Sequence, residues 1–192
     1  MIWFTSDLHL GHVNVLQFQN RPFADIDEMN GALIANINAK VKKNDELWIL
    51  GDFSFRISLE ESIALRKKIY CNNVHLVYGN HDKNYEGTDT FSSNQMYKEL
   101  KTDYGKIILF HYPIADWNGK HHGNIHLHGH IHSVGEYNQE QLAKLAPDFI
   151  YGHAPKHENP TGRIYDVGVD ANNYYPVSLD EILEKMQIKK KD

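Results

Sequence analysis

A single cysteine, Cys71, stands in 192 residues. An intramolecular disulfide is excluded, and so is a thiolate zinc site, which needs several cysteines. At this length about 70% of the surface of the unfolded chain is buried on folding, enough for a core without covalent staples. Positive charge is not in excess: 20 Lys and Arg against 25 Asp and Glu give −5 with neutral histidine. That balance argues against a protein that wraps long duplex nucleic acid by bulk charge, and it leaves small or short phosphorylated ligands open. No apolar run approaches the roughly 18 residues of a membrane span; the longest are short, such as Ile107–Phe110, so no membrane partner is expected. The opening MIWFTSDLHLGH has no basic region and reaches an acid at Asp7. It is not read as a signal peptide, and a cytoplasmic location is expected. With neither repeat nor linker, residues 1–192 are expected to form one domain.

What is plentiful is histidine, with 13 residues spread from His9 to His157 rather than gathered in a tag. Histidine is the commonest metal ligand, so the composition points toward a metal site.

Periodicity places these residues on elements. Met1–Ser6, Glu46–Leu50, Val74–Tyr78, Tyr97–Thr102, Lys106–Phe110, Ile125–Leu127 and Arg163–Val169 read as strands. Asp25 or Asp27 caps a helix over 26–41, with Met29, Leu33, Ile37 and Val41 at helical spacing. Ser58 with Glu61, and Ser178 with Glu181, are capping-box pairs. The first opens a helix to about Tyr70 and the second a final helix before the Lys189–Lys191 tail. Residues 79–96 read as a loop. Residues 133–162, with Pro147, Pro155 and Pro160, read as an irregular excursion holding one short helix near 139–145. The fold class is α/β with a substantial antiparallel component.

Chemistry collects where strands end. Asp7 and His9 follow the first strand, Gly51–Asp52 the second, Gly79–Asn80–His81–Asp82 the third. His111 and the run Gly129–His130–Ile131–His132 follow two later ones. In α/β sheets the ligand crevice lies beyond the carboxyl ends of strands. Residues two apart on an extended segment point the same way, so each Asp-x-His or His-x-His pair can reach one ion. Glycines 51, 79 and 129 suit sharp turns with no Cβ near the ligands. Imidazole, carboxylate and amide without thiolate suit Mn, Fe, Co, Ni or Zn better than Mg or Ca. Seven ligands are too many for one ion and enough for two that share a carboxylate.

The ordered set DxH, GD, GNHD, H, GHxH closely resembles that of the calcineurin-like metallophosphoesterase superfamily, in particular small bacterial and phage members with a DLHLGH-type opening. The segments GRIYDVGVD and YYPVSLDEIL also look like the end of such chains. The resemblance implies a calcineurin-like double β-sheet sandwich flanked by helices, with a dinuclear site at strand C-terminal ends. It implies that Asp7, His9, Asp52 and His132 hold one metal and Asp52, Asn80, His111 and His130 the other, with Asp52 shared. His81 would contact the phosphate, Asn80 beside it, or protonate the leaving group, and Asp82 would orient or charge His81. The implied reaction is hydrolysis of a phosphoester by a metal-bridging hydroxide, with two divalent transition ions as cofactors, Mn²⁺ first and Fe, Ni, Co or Zn as alternatives. His9 favours a phosphodiesterase on a small nucleotide-type substrate. A phosphomonoesterase, a nucleotide pyrophosphatase and a non-catalytic scaffold of the same fold are the competing readings.

Several residues have two readings. Arg21 can grip phosphate bidentately or be a solvated loop residue. His12 can touch the substrate or support a ligand. His128 can support a ligand, whereas His126 reads as packing or surface. Trp117, Asn118, His121 and His122 form a pocket wall or an exposed loop. Asp170 buttresses a ligand histidine or simply ends a strand. His75, His153 and His157 read as incidental and Cys71 as packing.

Overall fold

Alternating burial within the first strands divides the core between two faces. The computed structural model describes residues 1–144 and 162–188. One sheet has the order β4-β3-β2-β1-β9, built from β1 (Ile2–Thr5), β2 (Glu46–Ile49), β3 (Asn73–Val77), β4 (Ser93–Gln95) and β9 (Val177–Ser178). Successive side chains of a strand point to opposite faces. Trp3, Leu47, Ile49, Val74 and Leu76 therefore pack on one side against Met29, Leu33 and Ile37 of helix α2 (Ile26–Lys40). Phe4, Trp48 and Val77 pack on the other against Ile107, Leu109, Ile125, Leu127 and Tyr165 of the second sheet. That sheet has the order β5-β6-β7-β8: β5 (Tyr97–Thr102), β6 (Gly105–Phe110), β7 (Ile125–His128) and β8 (Arg163–Asp166). The result is the expected sandwich of two sheets with helices outside.

The antiparallel share is smaller than expected. Only β1–β9 and β5–β6 pair antiparallel, while β1, β2, β3 and β4 run parallel, as do β6, β7 and β8. The connections explain this. Parallel neighbours need a long crossover, supplied by α2 between β1 and β2 and by α3 (Leu59–Arg66) between β2 and β3. As a consequence the C-terminal ends of β1, β2, β3, β6 and β7 come together at one edge of the sandwich.

The caps follow the sequence. Asp25 accepts from Glu28 N at the start of α2, and both capping boxes form, at Ser58 for α3 and at Ser178 for α5 (Leu179–Lys185). α3 stops at Arg66, short of Tyr70, and β8 stops at Asp166 before a 3-10 turn over Val169–Asn172. The short α1 (Val15–Phe18), β4 and β9 were not foreseen, each having too few residues to show a period. α4 (Gly135–Ala143) opens the excursion earlier than expected. Residues 145–161, which carry His153, His157 and the three prolines named above, lie outside the described residues, as does the Lys189–Lys191 tail. Among the described residues no helix is long and apolar enough to cross a membrane.

Candidate metal centre

The turns that follow the strands are tightly wound. Asp7, His9, Asp52, His130 and His132 all have positive φ, at 58°, 50°, 54°, 72° and 46°. Side-chain-bearing residues avoid this region, Asp, Asn and His least so, and such conformations gather at functional sites. Backbone hydrogen bonds hold the turns in place: Asp7 N donates to Gly51 O at 3.0 Å and His9 N to Asp52 O at 2.9 Å. The two sheets are joined here by His130 N, which donates to Asp7 Oδ2 at 2.9 Å. Gly51 (φ +96°) and Gly79 approach closely; a Cβ on Gly51 would strike the His111 ring and one on Gly79 the Asp52 carboxylate.

These turns aim the expected ligands at each other. Two clusters have ligand atoms within 4.8 Å of one another, Asp7 with His9 and His132, and Asp7 with Asp52 and His111. His9 Nε2 is 3.1 Å from His132 Nε2. Asp52 Oδ2 is 3.5 Å from His9 Nε2 and 3.7 Å from His111 Nε2. Asn80 Oδ1 is 3.0 Å from His111 Nε2. His130 borders the second cluster, its ring 5.0 Å from that of His111 and 4.5 Å from that of Tyr112. Asp7 belongs to both clusters, a centrality that the spacing did not reveal.

The donor set fits a cation. His111 Nδ1 faces the Leu50 carbonyl at 2.8 Å, and His132 Nδ1 faces Asp170 Oδ2 at 2.8 Å. Each pairing places the proton on Nδ1 and leaves the Nε2 lone pair for the centre. Asp7 Oδ1 is buried without a hydrogen-bond partner, a costly state unless a cation meets it. Burial, with the charges of Asp166 and Asp52, pushes the Asp7 carboxyl up to about 7. Burial, with His132 and Arg21 nearby, lowers His9 to about 2 and keeps it neutral, the form that binds metal. Burial and His111 also lower His130. His132 goes the other way: burial opposes its charge, but the hydrogen bond to Asp170 and the charge of Asp7 win and raise it.

His81 stands beside the ligands with its ring half-buried, 5.6 Å from His9 and 4.3 Å from Phe55. Its backbone N–H donates to Asp52 Oδ1 at 2.9 Å, and among the described residues its ring has no hydrogen-bond partner. His12 lies 5.4 Å from His9 and 4.7 Å from Phe55, with Nδ1 unpartnered. The sequence reading passed over Phe55 and Arg56, although they share the loop of Asp52. The Arg56 guanidinium lies 5.3 Å from the Phe55 ring centre, and its charge reaches His12.

Two expected roles are corrected. Arg21 is no phosphate grip: its side chain is buried and pairs with Asp170 at 2.8 Å. The remaining N–H groups meet the Asp7 and Leu8 carbonyls. Asp82 does not orient His81. Its two oxygens accept the backbone N–H groups of Asp52, Phe53 and Gly79, because the loop after β3 folds onto the turn after β2. Burial pushes the Asp82 carboxyl up to about 6 against these bonds.

The open cases also resolve. Asp170 buttresses His132. His128 bonds the Gly129 carbonyl at 2.9 Å and reaches the Tyr137 hydroxyl at 3.4 Å, so it braces the His130–His132 turn rather than a ligand ring. His126 is buried packing between the Ile108 and Tyr112 carbonyls. Trp117 is buried with Ile108 and Ile164 on the outer face of the second sheet, and Asn118, His121 and His122 are exposed there, away from the site. His75 stacks on Trp48 at 4.3 Å, and Cys71 is buried.

Known proteins resemble this chain in sequence and fold. An uncharacterized protein of Methanocaldococcus jannaschii is 30% identical over 190 residues, 97% of this chain and 91% of the relative. The Gene 66 protein of Mycobacterium phage L5 is 28% identical over 162 residues, 68% of this chain and 77% of its own. The crystal structure of an Aquifex aeolicus protein of unknown function has the same fold, with a TM-score of 0.67 at 22% identity over 96% of this chain and 98% of that one. The family model of the calcineurin-like phosphoesterases matches residues 1–186. With that match over nearly the whole chain, the chain belongs to the calcineurin-like phosphoesterase family.

Proposed function

We propose that the protein is a dinuclear metal phosphodiesterase acting on a small nucleotide-type phosphodiester. One observation carries the two-ion reading: Asp52 Oδ2 lies within 3.7 Å of a histidine from each half of the site, His9 and His111. Asp7, His9, Asp52 and His132 would hold one ion, and Asp52, Asn80, His111 and His130 the other. Two divalent ions there, manganese first among them, would supply Lewis acidity that acidifies a water and offsets phosphate charge.

The chain's own residues do the rest. His81, beside the ligands and with its ring unbonded among the described residues, is placed to give a proton to the departing oxygen. Arg56 has no ion-pair partner among the described residues and offers its fork to the non-bridging phosphate oxygens. The rings of Phe55 and Tyr112, on either side of the ligands, offer faces for a base. The intact His9 supports a diester over a monoester.

The test is a screen of nucleotide diesters and monoesters on manganese-reconstituted protein, with metal counted. The reading expects two ions per chain, turnover of a diester above its monoester, and loss of both metal and turnover in Asp52→Ala. One ion or none in active protein would overturn the dinuclear reading. Monoester preference would overturn the diester reading.

A further inference from the structure

We propose that Arg21 and Asp170 form a buried positioning unit that acts chiefly on the ion position of Asp7, His9 and His132, the other position having separate supports besides Asp7. The inference rests on the reading that these residues hold a divalent ion.

Arg21 commits every donor it has. Nε reaches Asp170 Oδ1 at 2.9 Å, and Nη2 reaches Asp170 Oδ2 at 2.8 Å and the Asp7 carbonyl at 2.7 Å. Nη1 reaches the Leu8 carbonyl at 3.1 Å and Met29 Sδ at 3.5 Å. A guanidinium has five N–H groups in a fixed fork and cannot accept. The contacts therefore set Asp170 rigidly against the backbone that carries Asp7 and His9. Asp170 Oδ2 takes one further bond, from His132 Nδ1 at 2.8 Å. A carboxylate held by a guanidinium can only accept, so the proton sits on His132 Nδ1. His132 Nε2 is then bare and turned toward His9 Nε2 at 3.1 Å and Asp7 Oδ1 at 3.9 Å. A buried ion pair is in itself weak evidence for stability. This one joins a loop after β1, the backbone of Asp7 and Leu8 and the tautomer of His132.

The second position is held otherwise. The Leu50 carbonyl fixes His111 Nδ1, and Asp82 fixes the backbone of Asp52 and Gly79. Neither support touches Arg21 or Asp170. Asp7 is common to both clusters, whereas His132 belongs to one, so loss of the Arg21–Asp170 unit weakens the position of His9 and His132 more than the other.

The experiment titrates manganese(II) into metal-free wild type, Asp170→Asn, Asp170→Ala and Arg21→Lys by calorimetry. Histidine ¹⁵N NMR of the same metal-free proteins reads the His132 tautomer. Wild type should bind two equivalents and show His132 protonated on Nδ1. In both Asp170 variants one equivalent should weaken by about 10–100-fold and the other clearly less, and the tautomer preference of His132 should be lost. Arg21→Lys keeps the charge without the fork and should fall between. If Asp170→Ala does not fold, Asp170→Asn keeps the volume, and its melting curve verifies the fold. Equal weakening of both equivalents, or an unchanged tautomer in Asp170→Asn, would overturn the proposal. Wild type that binds no manganese would instead overturn the metal reading beneath it.

Discussion

The carboxylate of Asp82 accepts the backbone N–H of Asp52 at 2.9 Å, so an acid from the loop after β3 fixes the turn after β2. Asp82 Oδ1 also accepts Phe53 N at 2.8 Å, and Oδ2 accepts Gly79 N at 2.8 Å. Asp82→Ala leaves three N–H groups without an acceptor and should destabilise the protein by on the order of 2–4 kcal/mol. Asp82→Asn turns an amide donor toward the same N–H groups and should be no better. Denaturant unfolding reads the stability and manganese titration the affinity, and both should fall together. Full stability and metal content with activity alone lost would instead return Asp82 to a direct role at His81.

Metal binding should release protons at acid pH. The metal-free site holds a proton on Asp7, whose carboxyl burial pushes up to about 7. Burial opposes charge on His132, but its hydrogen bond to Asp170 raises it, so His132 retains a proton there as well. His9, lowered to about 2, brings none. A cation must displace those protons, so affinity falls as pH falls through 7. Calorimetry at pH 6 in two buffers of different ionisation enthalpy should show at least one proton released per protein, and fewer at pH 8. Equal release at both values would contradict the protonated Asp7.

Much of this was legible before folding, for identifiable reasons. Asp7, His9, Asp52, Asn80, His111, His130 and His132 each follow an apolar run, and a run that ends in Gly or a ligand declares its own turn. Asp25, Ser58 and Ser178 could be read as caps because capping is local in sequence. Arg21 and Asp82 were misassigned because their partners are distant in sequence, Asp170 for the first and the backbone of residues 52 and 53 for the second. Buried donors find whatever acceptor the fold brings, and spacing carries no trace of it. The positive φ values of five candidate ligands likewise belong to the fold. Their only local sign is the choice of Asp and His, the residue types that tolerate that region best.

Arg56 should matter for substrate and not for metal. Its guanidinium lies over Phe55, whose ring is 4.3 Å from His81. Loss of one charge-assisted hydrogen bond, about 1.5 kcal/mol, corresponds to roughly a tenfold weaker grip. Arg56→Ala should therefore raise KM for a diester about tenfold with kcat little changed and manganese content intact. Steady-state kinetics beside metal analysis checks both. A fall in kcat at constant KM would place Arg56 on the transition state alone, and lost metal would make it a support of the Asp52 turn.

His81 separates proton transfer from metal binding. Its ring hydrogen-bonds no group among the described residues, and only its backbone N–H reaches Asp52, so His81→Ala should keep the ligands in place and retain both ions. The rate should fall, since a positioned acid contributes about 10²–10⁴-fold. The size of the loss should depend on the leaving group. A nucleoside alkoxide leaves poorly without a proton and should show the full effect. Nitrophenolate leaves as the anion and should show little. If the ring only props Phe55 and the loop after β3, both substrates would lose rate alike. The measurement is kcat for both leaving groups in wild type and His81→Ala, each with metal counted. A larger loss for the alkoxide at unchanged metal content assigns the proton to His81, and equal losses remove it from that role.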